Sequence, residues 1–179
     1  MTIATPVPAR TSGLPATDPA ACTIAPRAEF PLGQEGDLTA LSPTPTPSID
    51  ETGAIPADDG AIAAVAATAA MAIACQNAGD LPRMLAAFSD SWLMGRFDSY
   101  DLVFVDRFYD EAALPATPVP PDEQRTLIAV TDVMALPDGA IVATIVTTAG
   151  GVEEQSRLRF VLERDVLVID EAVVLYTGA

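Results

Sequence analysis

The chain contains no histidine and no lysine, and all nine of its basic residues are arginine. Without histidine, Ser-His-Asp and Cys-His nucleophiles are excluded, so any acid or base must be Asp, Glu, Tyr or Cys. Zinc sites of the usual His/Cys kind are excluded too, because two cysteines alone do not make one. No metal and no cofactor is therefore expected. Against nine bases stand 25 acids, which gives a net charge of −16 at pH 7. Such a surface repels phosphate, so nucleic acid and anionic membranes are disfavoured partners. Aromatic residues make up 6% of a chain that is 50% hydrophobic, so much of its apolar mass is Ala and Val, which bury little area each. Asparagine occurs once, at Asn77.

A length of 179 residues suits one domain with an extra segment. Residues 1–56 are that segment, an arm holding ten of the sixteen prolines among many Thr and Ser. Its run Ser42–Ser48 alternates with Pro43, Pro45 and Pro47 and should be extended. The stretch Cys22–Arg27, with Phe30 and Leu32, is too apolar for a plain linker and is expected to pack on the domain, residues 57–179. Met1–Arg10 has no basic start followed by an apolar core, so the chain is either cytoplasmic or the mature part of an exported protein. The longest uncharged run, Gly60–Ala78, is Ala-rich and reads as too weakly apolar for a membrane span.

The two cysteines, Cys22 and Cys75, are far apart in sequence and allow two readings. They are two buried thiols, or they form one disulfide tying the arm to the first helix. The closed loop would then stabilise the fold by roughly 3–5 kcal/mol. It would also imply an oxidising, extracytoplasmic setting.

Helices come first in the domain. Asp58 or Asp59 can cap a helix carrying Ile62, Val65, Ala66, Ala69 and Ile73 on one face and Ala63, Ala67, Met71 and Ala74 on the other. A helix apolar on both sides is expected to be buried on several. Gly79 ends it, Asp80 caps a second helix over Leu81–Phe88, and Ser89-Asp90 caps a third over Ser91–Gly95. Phe97–Leu114 is ambiguous, and Pro115, Pro118, Pro120 and Pro121 make a loop. Four strands follow: Arg125–Leu136, Ala140–Thr148, Val152–Glu163 and Val166–Val174, separated by turns at Pro137-Asp138-Gly139, Gly150-Gly151 and Arg164-Asp165.

Leu158, Phe160 and Leu162 alternate with Arg157, Arg159 and Glu163, which gives one dry and one wet face. Strict alternation would place Ile128, Val130 and Met134 opposite Leu127, Ala129 and Val133, and Ile141 and Ile145 opposite Val142 and Val146. A sheet apolar on both faces needs two covers. The helices supply one, and a second subunit would supply the other, so a homodimer through the sheet is expected.

Three stretches carry a family resemblance: Asn77-Ala78-Gly79-Asp80 leading to Asp90-Ser91-Trp92-Leu93; Leu136-Pro137-Asp138-Gly139-Ala140; and Val166–Glu171. In this order they resemble the NTF2-like (SnoaL-like, cystatin-like) superfamily over Asp58–Val174. Leu167 or Val168 stands where that pattern has Trp, and Ala140 where it has Arg. The resemblance implies an α+β cone, with N-terminal helices on a curved antiparallel sheet and a pocket between them. Trp92, Met134 and Phe160 would line that pocket, with Tyr100 and Tyr109 as donors over it. Glu154, sharing parity with Leu158 and Phe160, would face its mouth. Asp132, between apolar neighbours, is the other candidate base. Such cones serve many chemistries, and their histidine-dependent ones are closed to this chain. The expected function is non-catalytic binding of a small apolar molecule or a protein. The alternatives are a small lyase or isomerase using Asp132 or Glu154, and a dimerising assembly domain.

Overall fold

Asp58 caps the main helix, α1 (Asp59–Asn77), by accepting a hydrogen bond from the Ala61 amide at 2.8 Å. The computed structural model describes residues 13–27, 49–97, 110 and 113–178; Phe30, Leu32, Ser42–Ser48, Tyr100, Tyr109 and most of Phe97–Leu114 lie outside them. Burial of α1 is uneven. Ala63, Ala64 and Ala67 are exposed, whereas every residue from Ala72 to Cys75 is buried. By length and composition α1 could cross a membrane, yet 44% of it is buried inside the domain. Two short helices follow: α2 (Leu81–Leu85), capped by Asp80, and α3 (Asp90–Phe97), where Ser89 Oγ accepts from the Trp92 amide. The second helix is shorter than its apolar spacing suggests, because Ala87 and Ser89 exchange backbone hydrogen bonds with Ile169 instead.

Five antiparallel strands form one sheet in sequence order: β1 (Ile55–Pro56), β2 (Thr126–Ala135), β3 (Ile141–Ala149), β4 (Val152–Glu163) and β5 (Val166–Gly178). The protein is thus α+β. Its main core packs Val65, Ala69 and Ile73 of α1 against Leu127, Val130, Ala143, Ile145, Leu158, Phe160 and Ile169 of the sheet. The alanines let helix and sheet approach closely.

Strict alternation in β2 does not survive. Register shifts between Leu127 and Ala129, and between Thr131 and Met134, insert extra residues. They put Leu127, Val130 and Val133 together on the helix side and leave Met134 on the outer side. Two further shifts on β5, around Asp170 and Leu175, bend the sheet's other edge. Leu162 keeps the parity of Phe160 but sits beside the hairpin turn and is 72% exposed.

The outer face is covered in part by the chain itself. Ile49 and Ala54 pack on Leu136, Ala140 and Val142, and β1 pairs with the end of β2. Arg157, on the outer side of β4, reaches this strap with a two-pronged bond to Glu51, 2.7 Å on each prong. It also donates to Thr144 Oγ1 and the Asp132 carbonyl. Asp132 takes a left-handed backbone, φ 50°, at the bulge that presents this carbonyl.

The first stretch of the arm, residues 13–27, lies along α1 and α2. Cys22 and Cys75 are joined by a disulfide across 53 positions. A closed loop of that size contributes about 4 kcal/mol on the chain-entropy account. Arg27 extends the attachment: it pairs with Asp90, bonds the Phe88 carbonyl at 2.8 Å and donates its amide to Pro82.

The Arg157 hydrogen bonds hold the Glu51 carboxyl below its ordinary pKa. A depressed carboxylate adds stability above its unfolded pKa, and this is lost as pH falls through the folded value. Melting temperature against pH should therefore show wild type above Glu51→Gln near neutrality, with the curves converging below the ordinary carboxylate range. A constant offset at all pH values contradicts the ion-paired strap.

Candidate functional site

A cavity of about 280 Å³ lies between the helices and the sheet. Helical spacing brings Ala69, Ala72, Ile73 and Gln76 of α1 to one wall. Met84 and Phe88 close the adjoining side. Strand alternation supplies the floor: Ile145 and Thr147 from β3, Glu154, Ser156 and Leu158 from β4, and Ile169, Ala172 and Val174 from β5. Gln76, Ala172 and Val174 are exposed and form the rim.

The lining is apolar except at one corner. There Arg125, at the entry to β2, donates Nη1 to Thr147 Oγ1 at 2.7 Å and to Glu154 Oε1 at 3.1 Å. Ser156 Oγ lies 3.3 Å from the same carboxylate oxygen. The Arg125 and Glu154 side chains are 26% and 31% exposed, so the pair is accessible from the cavity mouth. Among the described residues, no group of three or more His, Cys, Asp and Glu could hold a metal ion.

Arg125 is held in place by Asn77. This side chain, 2% exposed, donates Nδ2 to the Arg125 carbonyl at 2.8 Å and to the Thr17 carbonyl at 2.7 Å. Its Oδ1 accepts the Arg125 amide at 2.9 Å. Its own carbonyl accepts the Val119 amide at 2.8 Å. Helix, arm, proline-rich loop and sheet thus meet at one carboxamide. Gly79 belongs to the same joint: φ is +64°, and a Cβ there would lie 2.0 Å from the Thr117 carbonyl oxygen.

Of the residues expected at a site, Glu154 lines the cavity. Phe160 does not; it is wholly buried in the main core. Met134 lies on the outer face against Leu136, Ala140 and Val142, carried there by the β2 bulge. Trp92 belongs to a cluster with Leu81, Met84, Leu85 and Leu93, and its ring centre is 4.4 Å from that of Phe88, so it stands behind the cavity wall rather than lining it. Asp132 is exposed, away from the cavity, with its carboxylate against Thr131 Oγ1. The bulge turns Asp132 out to solvent, so of a partly buried carboxylate and a solvated acid at a twist in the sheet it is the second. Tyr100 and Tyr109 lie outside the described residues.

Sequence reasoning missed Arg125, Thr147, Ser156 and Gln76. Ser156 shares parity with Glu154, and Gln76 lies one helical step beyond Ile73, so both had a usable signal. Arg125 and Thr147 required the strand register.

The chain matches no family profile, no curated protein and no solved structure.

Replacing Asn77 by Leu leaves the half-buried carbonyls of Thr17 and Arg125 and the Arg125 amide without partners. A fully buried group left so costs about 1–3 kcal/mol, a half-buried one less. Denaturant unfolding of Asn77→Leu should show a loss of about 1–3 kcal/mol. A loss below about 1 kcal/mol would refute the joint.

Proposed function

We propose that this protein binds a small apolar molecule without transforming it, and that its α+β fold is an NTF2-like cone. The cavity carries this reading: most of its lining is apolar, with convergent polar groups in one corner, as a site that orients a ligand requires. Helices preceding a bulged antiparallel meander support the cone. The Cys22–Cys75 disulfide supports an extracytoplasmic location. A homodimer through the sheet draws support from Val174, Leu175 and Tyr176 on edge strand β5, which are 59%, 56% and 52% exposed.

Glu154 favours a second reading, a lyase or isomerase in which this carboxylate removes a proton from a bound hydrophobic substrate. Binding ranks first because Glu154 is already engaged by Arg125 and Ser156, and because among the described residues no second acidic side chain lines the cavity.

Trp92, the only tryptophan, reports on the cavity through Phe88. Its emission should change saturably when camphor, a compact neutral ketone, is titrated in. Ala172→Phe projects a ring into the mouth from an exposed position and should weaken binding by about tenfold or more. No saturable response of wild type to camphor or to its alcohol borneol, or equal affinity in Ala172→Phe, overturns the reading.

A further inference from the structure

The polar corner constrains what the ligand carries at its head. Arg125 uses Nη1 for both Thr147 and Glu154, so its Nε and Nη2 donors have no protein acceptor among the described residues. Glu154 receives both Arg125 and Ser156 on Oε1, so Oε2 has no protein donor there either. A free acceptor and free donors therefore lie side by side at the edge of an apolar cavity. The pair has no net charge, and the chain around it carries −16.

From this we infer that the site selects a compact, neutral, apolar molecule bearing one hydroxyl group. The hydroxyl donates to Glu154 Oε2 and accepts from the free edge of Arg125, while the hydrocarbon body lies on Ile73, Phe88, Leu158 and Ile169. This rests on the binding function proposed above and adds the ligand's class. A carboxylate head would meet Arg125 but be repelled by Glu154 and by the protein's overall field. An ammonium head would meet Glu154 but be repelled by Arg125. A head that only accepts would displace water from Glu154 Oε2 without replacing its hydrogen bond, and that loses affinity. Size is limited as well. The cavity equals about nine waters at ~30 Å³ each, which suits a body of roughly ten carbons rather than a long chain.

The bornane skeleton provides a matched series: borneol with a hydroxyl, camphor with an acceptor alone, bornylamine as its ammonium ion, and bornane carboxylate. Titration calorimetry on the full chain at pH 7 should rank borneol first, by about tenfold or more over each of the others, the effect of one hydrogen bond to a charged group. In Glu154→Gln, Arg125 loses its anionic partner, so carboxylate affinity should rise about tenfold or more and the advantage of borneol over camphor should shrink. Glu154 is partly exposed, and its amide isostere keeps its shape, so the variant should fold; its melting curve checks this. Equal affinity for all four compounds, or tightest binding of the carboxylate by wild type, overturns the inference and leaves the apolar-binding function standing. Absence of binding by all four overturns both.

Discussion

A single buried carboxamide, that of Asn77, joins the parts on which the rest of the structure depends. Asn offers two donors and an acceptor with two lone pairs. Here both donors meet carbonyls and the oxygen meets an amide, a pattern that also fixes which way the side chain points. Asp could not donate to Thr17 and Arg125. Leu would leave all three without this partner. The arm and the proline-rich loop present backbone groups at this joint, and loops hold one another poorly when such groups are unsatisfied. The link to the site is direct, because the residue whose backbone Asn77 grips is also the residue whose guanidinium forms the polar corner.

Arginine has a corresponding role at the surface. Among the described residues, Arg27, Arg83, Arg125, Arg157, Arg159 and Arg164 each contact a carboxylate. In a chain with so many acids these few cations are placed where segments distant in sequence must meet: Arg27 from the arm at Asp90, and Arg157 from the sheet at Glu51. The planar guanidinium suits the task, since it bonds a carboxylate and a carbonyl at once. Arg159 shows the same economy in a hairpin. It pairs with Asp138, whose carboxyl the Ala140 amide and Arg159 hold below its usual pKa, and with Asp170 at the β5 bulge. Asp138 and Asp170, which fall in two of the stretches singled out in the sequence, are thus held in ion pairs with one arginine.

Much of the architecture was legible in the residues themselves. Asp58, Asp80 and Ser89 mark helix starts by their capping chemistry, and Gly150-Gly151 and Arg164-Asp165 mark turns whose left-handed backbone the structure contains. The site was less legible, for a physical reason. Side-chain direction in a strand follows a period of two only while no residue is added, and β2 adds residues twice. Met134 is therefore carried to the outer face and Asp132 stands solvated at the bulge, whereas Glu154, on a strand with unbroken parity, lines the cavity. The outer cover was illegible too. Ile49 and Ala54 belong to the proline-rich arm, and nothing local indicates that the arm returns over Val142. The solitary Asn77 could have been noticed as a buried joint from its position at a helix end beside Gly79, but its partners at residues 17, 119 and 125 could not.

The account depends on the Arg125 amide being locked by Asn77 in the intact protein. Native-state hydrogen exchange reads this at a single residue. The Arg125 amide should exchange only through the global opening that also releases amides in the buried half of α1, such as that of Cys75. Exchange of the Arg125 amide as fast as that of the exposed turn at Gly151 would contradict the account.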